Sequence, residues 1–276
     1  MNKTYKPHTK KEKLAEFERL LDIMKRLRAE CPWDSVQTFE SIRSNTVEET
    51  YELSDAILAK DMQEIKKELG DLLLHIVFYS EMGSETDDFD IYDVCKAINE
   101  KLIFRHPHIF GNVDVNGDTT KVLENWENLK LKEKGGNKTV LGGVPASLPT
   151  LIKAYRIQEK AASVGFDWEY REQVWDKAKE EIAEFQAEIN QQDSDKMEAE
   201  FGDVLFSMVN AARLYGINPD TALERTNKKF IQRFNYLEAE TIAQGRNLKE
   251  MTLAEMDEIW EKAKNPPKRR LKRNQS

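Results

Sequence analysis

The chain predicts an all-α protein built as two tandem copies of one helical-bundle unit, and three observations carry that prediction. Hydrophobic residues make up 39% of the 276 positions and charged residues 33%, a mix that suits amphipathic helices better than sheets. From Lys13 to Ala29 the residues Leu14, Phe17, Leu20, Leu21, Met24 and Leu27 recur at helical period. An acidic pattern also occurs twice at fixed separation. Moving Glu180, Glu181, Glu184, Glu200, Gly202 and Asp203 back by 132 positions lands on Glu48, Glu49, Glu52, Glu68, Gly70 and Asp71 without a gap. Solvated faces drift in spacing, so the coincidence marks a repeat.

Taken in order, residues 1 to 12 are polar and basic and read as a frayed end. The first helix follows and stops at Cys31-Pro32-Trp33-Asp34, because proline disfavours helix in the residue before it. Trp33 reads as a packing anchor for that loop. Thr38 to Leu58 forms the first acidic helix, and Asp61 caps the next, which carries Glu68 and Asp71 into an apolar run. Residues 83–90 read as an acidic connecting loop. His106 and His108 flank a proline with no third soft ligand nearby, which speaks against a metal site. Asn112 to Gly117 opens like a calcium loop, but its twelfth position is Leu123, so it reads as a turn into the helix of Trp126.

Residues 133–149 hold four glycines and two prolines and separate an N-terminal repeat, 13–132, from a C-terminal repeat, 150–265. Leu151 to Val164 predicts a helix, Gly165 to Trp168 a turn, and Arg171 to Ile189 the second acidic helix. Asn190 to Asp195 is a polar break in which Asp193, Ser194 or Asp195 can cap the following helix. Residues 266–276 form a basic tail.

The chemistry lies in the acidic helices. Glu181 and Glu184, like Glu200 and Asp203, are three residues apart and share a helix face. Folding the two helices into a hairpin turns all four carboxylates toward each other. Gathered negative charge needs a counter-ion. Oxygen ligands without His or Cys select a hard divalent ion, Mg²⁺ or Mn²⁺. The first copy offers Glu49, Glu52, Glu68 and Asp71 as an equivalent set. Gly202, inside a helix, suggests close approach by a neighbouring helix or a ligand. A ferritin-like di-iron bundle is disfavoured, because Asp71 and Asp203 stand where its histidines would be needed.

A net charge of −8 argues against general nucleic-acid binding. Two cysteines without C-x-x-C spacing fit a reducing cytoplasm. No apolar run reaches the ~20 residues that span a bilayer, and the N-terminus lacks a secretory core.

The E-E-x-x-E and E-x-x-D motifs, with Cys31-Pro-Trp-Asp34, Val144-Pro145, Arg156-Ile-Gln-Glu-Lys160-Ala-Ala and Val164-Gly-Phe-Asp-Trp168, resemble the two-repeat members of the MazG family of nucleoside triphosphate pyrophosphohydrolases. The likeness covers about residues 15–265. It implies a metal-dependent all-α homodimer that turns a nucleoside triphosphate and water into a monophosphate and pyrophosphate. It assigns Glu181, Glu184, Glu200 and Asp203 to Mg²⁺, and gives Glu180 the task of orienting or deprotonating water or helping hold a further ion. By the same resemblance Lys177, Lys196, Lys229 and Arg233 bind the triphosphate, Trp260 contacts the base, and Lys264 follows one turn later. Metal and cations suffice for phosphoryl chemistry, and an indole stacks on any base, which implies broad base tolerance.

Downstream, Asn227, Lys229 and Arg233 match Asn99, Lys101 and Arg105, and Trp260 with Lys264 matches Trp126 with Lys130. Lys177 and Lys196 instead face Asn45 and Glu64 in the first copy. The second copy is therefore expected to carry most of the activity, while the first binds metal weakly, serves an interface or acts on other nucleotides. A competing reading is a non-catalytic helical interaction module in stress signalling; intact carboxylates in both copies count against it.

Overall fold

The computed structural model describes residues 6–118, 121, 122, 125, 126, 129 and 139–264. Among them all regular structure is helical. The basic tail, Lys130, residues 1–5 and linker positions 133–138 lie outside the described residues. The chain divides into two compact units, Met1–Gly136 and Asn137–Ser276.

In the first unit α1 spans Lys10–Glu30, α2 Phe39–Ala59, α3 Met62–Glu85, α4 Ile91–Arg105 and the single turn α5 Pro107–Phe110. Helix α1 starts three residues before the predicted Lys13 because Thr9 and Glu12 close a capping box. Glu12 N donates to Thr9 Oγ1 at 3.3 Å, and Thr9 N donates to Glu12 Oε2 at 2.7 Å. The segment expected to fray thus contains the cap. Met24 from α1, Ile42 from α2, and Val77, Phe78 and Met82 from α3 form a filled core.

Two expectations fail here. Trp33 is 57% exposed and anchors nothing; Arg28 holds the loop instead, donating to the carbonyls of Asp34 and Gln37. A guanidinium reaching back from the preceding helix has several N–H donors for the two loop carbonyls, where an indole has one. Residues 83–85 are helical, not loop. A Cβ on Gly83 would meet Phe89 O at 2.8 Å, so this glycine admits the returning chain rather than ending the helix.

In the second unit α6 spans Thr150–Ala162, α7 Val174–Gln191 after a 3-10 turn at Arg171–Gln173, α8 Ser194–Leu214, α9 Pro219–Ala243 and α10 Leu253–Ala263. Leu237, Met251 and Ile259 form a small core between α9 and α10. Helices α7 and α8 lie side by side, and α6 packs on α8.

Both acidic hairpins turn the same corner. Lys60 ends α2 at φ 58° and ψ 30°, and Gln192 ends α7 at φ 57° and ψ 29°. Each is a left-handed residue that closes the helix C-terminus. An aspartate follows in each case. Asp61 accepts from Gln63 N at 2.9 Å and Glu64 N at 3.2 Å, and Asp193 accepts from Lys196 N at 3.2 Å. Of the three candidate caps, Asp193 is the one used, and α7 runs two residues past Ile189 before breaking. The close helix approach expected at Gly202 is absent: a Cβ there, or on Gly70, would meet no atom within 4 Å.

Candidate metal and triphosphate site

The shared corner sets the carboxylates across each hairpin. In the second unit Phe185 and Phe201, one residue beyond Glu184 and Glu200, meet with ring centroids 5.3 Å apart and fix the pairing of α7 with α8. One oxygen each from Glu181, Glu184 and Glu200 then falls within 4.8 Å of the others. Asp203, one turn beyond Glu200, stands exposed outside that trio. In the first unit the trio is Glu49, Glu68 and Asp71, again within 4.8 Å. Glu52 lies outside it, with Oε2 4.0 Å from Lys67 Nζ.

Glu181 is 7% exposed and Glu68 3%. Charge this deep needs compensation, and each unit supplies one lysine, from opposite sides of the hairpin. Lys177 on α7 reaches Glu181 Oε1 at 2.8 Å and Glu180 Oε1 at 2.9 Å. These two bonds, Glu181's first, hold its ammonium well above the ordinary lysine range. In the first unit Lys67 on α3 donates to Glu68 Oε1 at 2.8 Å, and that bond likewise raises the lysine. The sequence reading missed Lys67. Its signal was position: it directly precedes Glu68, where the second copy has Ala199. The first unit has therefore relocated a cation as well as losing one.

Carboxylate crowding shows in the acids. Desolvation, then the charges of Asp71, Glu52 and Glu68, push the Glu49 carboxyl above its usual value. Desolvation, then Glu181 and Glu200, does the same to Glu184. Glu68 Oε2 is buried with no hydrogen-bond partner. An all-oxygen donor set with an orphaned buried carboxylate oxygen fits a hard divalent cation.

The remaining predicted residues fall into two places. Lys196 sits at the start of α8, 3.7 Å from Asp193 Oδ2 and 4.0 Å from Glu188 Oε2. Arg233 on α9 lies over the Trp260 ring at 5.9 Å, and Phe230 packs against the same indole at 5.0 Å. Lys229 is exposed on α9, and Lys264, just past α10, pairs with Glu261. Lys229 and Arg233 stand on α9, Trp260 on α10 and Lys264 just past it, whereas the carboxylates stand on α7 and α8. His106 meets Trp126 edge-on with ring centroids 5.4 Å apart and Nδ1 2.7 Å from Leu102 O, an arrangement of packing rather than ligation.

Residues 37–110 and 171–237 each match the MazG nucleotide pyrophosphohydrolase domain, one match over each acidic hairpin. The chain belongs to the MazG family. The nucleoside triphosphate pyrophosphohydrolase of Escherichia coli K12 is 42% identical to this MazG chain over 256 residues, spanning 90% of the chain and 97% of the relative. The nucleoside triphosphate pyrophosphohydrolase/pyrophosphatase MazG of Thermotoga maritima is 43% identical over 251 residues, spanning 90% of the chain and 95% of that protein. YabN of Bacillus subtilis, an uncharacterized protein, is 42% identical over 275 residues, which are 98% of the chain but 56% of YabN. No helix among the described residues of the MazG chain is long and apolar enough to cross a membrane.

Proposed function

We propose that this chain hydrolyses nucleoside triphosphates to monophosphates and pyrophosphate, that the repeats span 13–132 and 150–265, and that the second does most of the work. The observation that carries the reading is the Glu181, Glu184 and Glu200 trio, with one oxygen each inside 4.8 Å. Glu181, Glu184 and Glu200, with Asp203 completing the set as the phosphates arrive, would hold Mg²⁺, or Mn²⁺ in its place. Such an ion, when bound, neutralises triphosphate charge and favours in-line attack.

The chain's own groups do the rest. Lys177, already ionised against Glu180 and Glu181, turns its remaining donor capacity toward a phosphate oxygen. Glu180, exposed on the rim of the trio, orients the attacking water and accepts its proton. Lys196, Lys229, Arg233 and Lys264 supply further cations, and Trp260 offers a stacking face that suits every base.

A homodimer fits the surface. Phe201, Leu205 and Met208 are 48%, 50% and 43% exposed along one stripe of α8. A stripe of that kind calls for a partner. Light scattering on the purified chain reads the mass directly, and a monomer at all concentrations refutes the dimer.

Incubating each nucleoside triphosphate with the chain and Mg²⁺, then separating products by chromatography, tests the activity. Equal monophosphate and pyrophosphate, abolished by a chelator and restored by Mg²⁺ or Mn²⁺, is expected. Release of inorganic phosphate with a diphosphate would refute it.

A further inference from the structure

The two acidic hairpins gather different carboxylates. Glu52 and Glu184 hold the same position in their repeats, 132 residues apart. Glu184 shares the second unit's trio with Glu181 and Glu200, whereas Glu52 stands outside the first unit's trio of Glu49, Glu68 and Asp71. The corner does not explain this, because both hairpins turn through a left-handed residue followed by a capping aspartate.

What differs is the charge on the helix after the corner. The first unit has Lys67 where the second has Ala199, and Glu64 where the second has Lys196. Residues 64, 67 and 68 share one face of α3. Lys67 Nζ lies 2.8 Å from Glu68 Oε1, 3.9 Å from Glu64 Oε2 and 4.0 Å from Glu52 Oε2. Glu52 is on α2, so this ammonium spans the hairpin beside the trio. In the second unit Lys177 pairs with Glu180 and Glu181 of its own helix. Lys196 reaches across to Glu188, one turn nearer the corner than Glu184.

Glu68 is 3% exposed, with Oε1 bonded to Lys67 and Oε2 buried without a partner. The first trio thus keeps one buried oxygen for a cation. It also faces a fixed positive charge, and the carboxylate equivalent to Glu184 is turned to that charge instead.

We propose that Lys67 sets the divalent-metal affinity of the first repeat: it withdraws Glu52 from the acid set and holds a positive charge beside Glu68. This hairpin therefore takes a divalent ion more weakly than its own carboxylates allow. A cation that must approach an ammonium and compete for its partners binds less tightly than one that meets free carboxylates. Glu64 steadies Lys67 from one turn away on the same helix. The proposal rests on the reading above that the acidic trios hold a divalent ion, and it names the residue that makes the two copies unequal.

Mn²⁺ binding to the full chain, followed by the electron paramagnetic resonance of the free ion, tests this. Glu181→Gln removes a ligand of the second unit, so the first hairpin is followed in that background. Adding Lys67→Met, which keeps the apolar stem and drops the charge, is expected to tighten Mn²⁺ by about tenfold at low ionic strength. The gain shrinks in salt. Lys67→Arg keeps the charge and is expected to leave the affinity within about twofold. A further Glu52→Gln is expected to cost about tenfold in the Lys67→Met chain and less than about twofold where Lys67 is kept. Loss of a charge alone does not produce that coupling.

Unchanged affinity in a folded Lys67→Met chain overturns the proposal, as does an equal effect of Glu52→Gln in both backgrounds. If Lys67→Met does not fold, Ala199→Lys in a Glu49→Gln background gives the converse test. It is expected to weaken Mn²⁺ at the second hairpin by about tenfold, and unchanged affinity there overturns the proposal. Mn²⁺ held by the wild type with no gain on removing Lys67 overturns this proposal alone. No Mn²⁺ held by any of these chains overturns the metal reading with it.

Discussion

The two halves share a corner and diverge on either side of it. Lys60 and Gln192 have the same left-handed backbone, each followed by a capping aspartate, and three carboxylates gather in both. Beyond that point the first half closes over Met24 and Phe78, while the second leaves an open cavity around Gln158 and Asn210. Their compensating lysines come from opposite helices. Both copies therefore gather three carboxylates at the hairpin, but with different members: Asp71 joins the trio in the first and Glu184 in the second. Equal acidic spacing in the sequence thus leads to different carboxylate trios and different lysine partners in the two units.

The largest effect that can break this comparison is catalytic. Glu181→Gln is expected to lower pyrophosphate release by ~100-fold or more, whereas Glu49→Gln leaves it within about threefold. Loss of most turnover only in Glu49→Gln reverses the assignment of roles.

Next in size is packing. Phe78→Ala empties a filled core and is expected to cost ~3–5 kcal/mol in urea denaturation. Asn210→Ala, beside space that is already open, is expected to cost no more than about 1 kcal/mol. Similar costs at both positions would mean that the two interiors are packed alike.

The smallest effect is acid sensitivity. Each half ties a nearly buried arginine to one acid, Arg28 to Glu85 and Arg213 to Asp167. The Arg28 hydrogen bond holds Glu85 below its ordinary 4.5. Burial pushes Asp167 up, but Arg213 and the Trp168 N–H outweigh it and hold the carboxyl below 3.8. A lowered folded value means the unfolded chain binds the proton more readily. Each contribution is thus complete above the ordinary value and fades as pH falls below it. Glu85→Gln and Asp167→Asn are each expected to cost about 1 kcal/mol at pH 7, discounted for the acids' partial exposure, and to flatten the stability profile below pH ~4.5. A profile as steep as wild type in both variants sinks the account.

The sequence made the helical hairpins, their capping aspartates and the doubled acidic spacing legible, because caps and periodicity are local signals. It misjudged Trp33, since a loop aromatic is a good anchor only when a core lies beneath it, and here Arg28 holds the loop. Gly83 read as punctuation because its close neighbour, Phe89, comes from the returning chain. Lys67 escaped notice because matching copies for lost cations does not look for gained ones. The cavity was not legible at all: Phe78 against Asn210 is visible in the alignment, but its meaning depends on what α1 and α6 place opposite.

The common corner makes each hairpin a cassette. Since the reversal depends on backbone handedness and an adjoining aspartate, and not on what the helices bear farther along, one arm could be transplanted into the other half with its bend intact. A chimera carrying the α7–α8 hairpin in place of α2–α3 would bring the acidic trio and its Lys177 partner with it.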